Sequence, residues 1–134
     1  MKKKKIVNVD LERKEERTGP FMLGFLFLTI GLFFLIQFNT SAILLAFWIV
    51  YMVNSLGVVA INLFWKLSIH AIGVAAPLAL FVFDKSWLVL PLLIILFLVG
   101  WARVHLKCHS VSQIVMGSLF GFISTLFQLW LFLR

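Results

Sequence analysis

Long apolar runs, broken by brief polar turns, recur along this sequence from residue 21 onward. The first run spans about Phe21 to Phe38, and "NTS" separates it from a second, Ala42 to Trp65. A third covers roughly Leu67 to Phe83, "DKS" leads into a fourth from Trp87 to about Leu106, and a fifth runs from Ser110 to Leu133. Each approaches the ~20 residues an α-helix needs to cross a hydrocarbon core. None has the apolar–polar alternation of an outer-membrane strand, and helices satisfy their own backbone groups in lipid. The pattern predicts an all-α integral membrane bundle of five transmembrane helices over residues 21–134, preceded by a polar basic arm over residues 1–20.

Composition agrees with a lipid solvent. The chain is 63% hydrophobic and 13% charged, with a mean hydropathy of +1.09; soluble domains carry about 25% charged residues. A soluble domain of this length has too little interior to hide so much Leu and Phe. The arm, "MKKKKIVNVDLERKEERTG", lacks the short apolar core and small-residue cleavage site of a signal peptide. The single cysteine, Cys108, allows no internal disulfide.

Charge then sets an orientation. Five crossings would put the arm, the 65–70 junction and the 103–109 junction on one side. That side holds ten of the twelve Lys and Arg: Lys2 to Lys5, Arg13, Lys14, Arg17, Lys66, Arg103 and Lys107. Lys85 and Arg134 fall on the other. Basic loops stay in the cytoplasm, so the N-terminus and the polar clusters are expected there. The formal net charge of +7 flanks apolar spans, which points to membrane headgroups or lipid phosphates rather than nucleic acid.

The polar residues at the edges of these spans are the chemistry-bearing ones. "RKEERTGP", "WKLSIH" and "ARVHLKCHSVSQ" are far apart in sequence, yet all three belong to the expected cytoplasmic side. Together they offer Arg13, Arg17, Lys66, Arg103 and Lys107 with Ser68, His70 and His109. Arg binds phosphate through paired N–H groups, Lys as a point charge and Ser as a neutral donor. Two imidazoles that titrate near neutral pH can supply a nucleophile and a general acid.

This constellation resembles the type 2 phosphatidic acid phosphatase superfamily, and its small divergent members in particular. Arg103, five residues, His109, three residues, Gln113 keeps the spacing of the family's Arg–His–Asp motif, with Gln113 where the family has Asp. "KLSIH" keeps Ser68 and His70 at the separation of a second motif, with Ile69 in place of Gly. Arg17, followed by Pro20, stands for the Arg-Pro of a first motif, and Asp10 stands where that motif has Lys. The resemblance covers about residues 13 to 121. It implies a metal-independent lipid phosphatase without a cofactor, acting on a phosphomonoester or pyrophosphate of a lipid. His109 would form a phosphohistidine, and His70 would protonate the leaving group and then activate water. Arg103, Arg17, Lys66 and Ser68 would hold the phosphoryl oxygens. If residues 109–113 are helical, Gln113 shares a face with His109 and stands in for the orienting carboxylate. An amide stabilises an imidazolium poorly, and an Asp-to-amide change in a catalytic triad costs about 10⁴ in rate.

Plainer roles stand beside each of these. Arg103 and Lys107 suit snorkelling cations at a helix end. Ser68 suits a helix cap, and His70 a hydrogen-bonded core histidine. Arg13 and Arg17 suit surface pairs with Glu12, Glu15 and Glu16. His105 and His109 have a helical metal spacing, but they sit among cations with no nearby carboxylate, so no metal is expected. Gly117 and Gly121 suit close helix packing or, alternatively, a homo-oligomer face. The second functional expectation is accordingly a weak or inactive protein of the same fold that binds anionic headgroups. Metal-dependent phosphotransferases need Asp-rich motifs, which spans two to five lack.

Overall fold

The computed structural model describes residues 14–134, with side chains from Pro20 onward. Five α-helices follow one another: α1 (Lys14–Gln37), α2 (Ala42–Asn62), α3 (Ile69–Phe83), α4 (Val89–His105) and α5 (Val111–Leu133). α1 begins inside the segment expected to be a polar arm, so residues 14–20 belong to the first helix. Lys2 to Lys5 and Arg13 lie outside the described residues.

Among the described residues, three helices, rather than five, are long and apolar enough to cross a membrane: Pro20–Gln37 within α1, Ala42–Asn62 and Val111–Leu133. This corrects the expected bundle of five transmembrane helices. α3 and α4 have 15 and 17 residues and rise only ~22 and ~25 Å at 1.5 Å per residue, short of the ~30 Å core. Turns consume the missing residues. Ser68, expected inside the third span, is the N-cap of α3 and accepts the Ala71 N–H. Trp87 and Leu88 precede α4, and Leu106 caps its end.

Much of the apolar surface faces outward, with Phe64, Trp87, Phe38 and Phe97 among the most exposed side chains. Together with the three long helices, this makes the chain a membrane-embedded α-helical protein. The interior is built mainly from small residues. α3 buries Ala71, Ala75, Ala76 and Ala79 and packs most extensively against α5. Gly117 and Gly121 permit this approach: a Cβ on Gly117 would lie 3.0 Å from the Ser68 carbonyl oxygen, and one on Gly121 3.1 Å from Ile72 Cα. Residues four apart on one helix thus meet residues four apart on the other, so α3 and α5 run parallel. The two glycines serve packing within the chain.

α2 presents Ala46, Val50, Asn54 and Val58 at four-residue intervals to the interior and runs antiparallel to α5. Two apolar clusters, Ala46–Val50–Leu129 and Val58–Leu67–Ile72, bracket a polar layer. There Asn54 Nδ2 donates to Thr125 Oγ1 at 2.9 Å, and Asn54 Oδ1 accepts from Ser124 Oγ at 2.6 Å and from Gln128 Nε2 at 2.8 Å. α1 is tied to α2 by Trp48, whose indole N–H donates to the Leu28 carbonyl at 2.8 Å and whose ring lies over Gly31.

Candidate functional site

Two junctions, α2–α3 and α4–α5, carry or adjoin most of the described candidate residues, and the fold places the two junctions in contact. Lys66 Nζ donates to the Cys108 carbonyl at 3.3 Å, and the Ser68 N–H donates to the Gln113 carbonyl at 3.4 Å. The first junction is shaped by Asn62, whose Oδ1 accepts the Leu67 N–H at 2.7 Å as the chain leaves α2. Gly117 then lets Ser68 settle against the first turns of α5.

The second junction is a Schellman turn. The Lys107 N–H donates to Val104 and the Cys108 N–H to Arg103, with Lys107 at φ 55°. The His109 N–H also donates to the Arg103 carbonyl at 3.3 Å. The turn thereby folds His109 back onto the last turn of α4, beside Arg103. His109 is buried, including its Nδ1, and Arg103 buries its Nε and Nη2. Lys66 is half-buried, while His70 and Lys107 are exposed.

Gln113 has a different engagement from the one its spacing implied. α5 starts at Val111 with Ser110 as its N-cap, so His109 precedes the helix. Gln113 is the third residue of a capping box: its N–H donates to Ser110 Oγ at 3.3 Å, and its Oε1 accepts the Ser110 N–H at 3.1 Å. Its side-chain oxygen is thus engaged with backbone. Ser68 also caps its helix, but a hydroxyl that accepts still has its own proton to donate. Arg17 lies on α1 with its side chain outside the described residues, and Arg13 lies outside them altogether. His105 stacks on Trp101, ring centroids 5.3 Å apart. Among the described residues, no group of three or more His, Cys, Asp or Glu is placed to hold a metal ion.

Among the described side chains, the charges at this end are all positive. After Glu16, Asp84 is the only acidic side chain in the sequence, and it caps the opposite end of α3. The N-termini of α3 and α5 meet here and add partial positive charge. The C-terminal carbonyls of α2 and α4 also end here and oppose that contribution, leaving the side-chain cations Lys66, Arg103 and Lys107 as the net positive charge. These cations favour an anion at this end of the bundle.

Sequence reading missed the Asn54–Ser124–Thr125–Gln128 layer. Its signal was available: an Asn and a Gln within apolar spans are costly in lipid unless they find one another.

Fold and site together define a membrane-embedded helical protein with a cationic cluster at one end of its bundle. Comparison with protein-family models, curated proteins and solved structures finds no match to this chain.

Proposed function

We propose that this protein is a metal-independent phosphatase of membrane lipids, working at the cation-rich end of the bundle. The observation that carries the reading is the Lys66–Cys108 contact. It joins the Ser68–His70 segment to the Arg103–His109 segment, two parts of the chain about 40 residues apart. In this mechanism His109 attacks phosphorus and the ester or anhydride bond breaks. His70 gives its proton to the departing oxygen, and water then hydrolyses the phosphohistidine. Arg103 and Lys66 stabilise the charge on the nonbridging oxygens during transfer.

A second reading, a binder of anionic headgroups without catalysis, is favoured by one observation: Gln113 is engaged in the Ser110 capping box. In purified protein with EDTA, phosphate should be released from a panel of lipid phosphates, and His109→Ala or Arg103→Ala should abolish release. Binding without release would select the second reading, and neither binding nor release would overturn both. The basic arm and junctions support a cytoplasmic N-terminus and site. Lys3→Cys in a Cys108→Ser background should resist impermeant thiol reagents on intact cells; labelling from outside would reverse the orientation.

A further inference from the structure

Between α1 and α2 lies a cavity of about 570 Å³, lined by Phe25, Leu28, Leu56 and Val59 along its walls. At one end stand Pro20, Asn62 and Leu63. Asn62 is the residue whose side chain receives Leu67 N–H and shapes the loop carrying Lys66, so this end of the cavity borders that loop. At the other end, Leu28 and Tyr51 lie below the Trp48–Leu28 hydrogen bond that closes α1 onto α2.

Its length matches a specific occupant. From Leu63 to Tyr51 along α2 is ~18 Å, and from Pro20 to Leu28 along α1 is ~12 Å, at 1.5 Å per residue. One leaflet of the hydrocarbon core is ~15 Å, half of the ~30 Å total. The polar atoms in the lining are few, and Ser55, one of them, donates its hydroxyl to the Tyr51 carbonyl at 2.8 Å. Gly24 faces open space: a Cβ there would meet nothing within 4 Å. A cavity about one leaflet long, greasy along its walls and bordered at one end by the loop that carries Lys66, fits an amphiphile with an anionic head and one hydrocarbon chain inside.

We infer that this cavity receives one hydrocarbon tail of the lipid whose phosphate is held by Lys66 and Arg103. The inference rests on the phosphate-binding reading above but does not require hydrolysis. It makes Gly24 a specificity-determining position, where bulk shortens the tail that can be admitted.

The test uses phosphatidate carrying a photoreactive diazirine midway along one acyl chain, with full-length protein in lipid nanodiscs. Labelled peptides should map to the cavity walls of α1 and α2. Gly24→Trp, and independently Val59→Trp from the opposite wall, should cut that labelling at least fivefold while circular dichroism stays unchanged. Lys66→Ala/Arg103→Ala should do the same, and the matching diacylglycerol, without phosphate, should label the walls weakly. Labelling spread evenly over outward-facing helix surfaces, or wall labelling indifferent to phosphate, would overturn the inference. Wall labelling with no phosphate release from any lipid would sustain it while refuting the hydrolytic mechanism.

Discussion

Lys107 shows how one backbone conformation decides where side chains go. The φ of 55° at this residue lets the chain reverse at the end of α4 and return His109 to Arg103. A left-handed conformation costs a non-glycine residue about 1–2 kcal/mol, most for β-branched side chains. Asn39 and Lys85 occupy the same position in the turns after α1 and α3, so three helices end this way without glycine. Lys107→Val and Lys107→Asn remove the same charge, but only valine opposes the backbone. Denaturation in mixed micelles should find the valine variant less stable than the asparagine variant by about 1 kcal/mol. Equal stabilities would mean that the turn does not depend on this conformation. Glycine, the usual marker of such turns, is absent from all three, which is why the sequence located the breaks but not their geometry.

At the scale of elements, α2, α3 and α5 form the frame, with Asn54 at the centre of its polar layer. Hydrogen bonds between membrane helices average ~0.6 kcal/mol and reach ~1.7. Asn54 makes three to α5, so Asn54→Ala should cost about 2 kcal/mol in the same denaturation experiment. Ser55→Ala, which loses a bond within its own helix, should cost less than about 0.5 kcal/mol. Equal losses would show that the layer does not hold the helices together. All five helices were legible as apolar runs, and the turns at Asn39–Ser41 and Asp84–Ser86 fell where the polar triplets are. Their lengths were less legible. Apolar residues such as Leu67, Trp87, Leu88 and Leu106 extend the runs in sequence but are used by caps and turns, and this removes α3 and α4 from the spanning class.

For the whole molecule, the outcome depends on parallel α3 and α5 bringing their N-termini to one end beside the C-terminus of α4. The Lys66–Cys108 and Ser68–Gln113 contacts follow from that arrangement. Sequence spacing singled out Arg103, His109, Ser68 and His70 because polar residues at apolar edges stand out. It did not single out the capping box, because Gln113 fits both the Arg103–His109–Gln113 spacing and the Ser110-x-x-Gln113 spacing of a helix start, and only the backbone at the start of α5 shows that the second is formed. The cavity beside α1 left no trace in the sequence because its lining residues are indistinguishable from lipid-facing ones.

In the proposed site, Lys66 from the α2–α3 junction and Arg103 from the last turn of α4 hold one phosphate. A double-mutant cycle on phosphatidate affinity, using Lys66→Ala, Arg103→Ala and the double variant in nanodiscs, tests it most directly. Residues sharing a ligand should depart from additivity by about 1 kcal/mol, roughly fivefold in Kd. Losses that add to within about 0.3 kcal/mol would place the two cations at independent sites and rule out a shared phosphate.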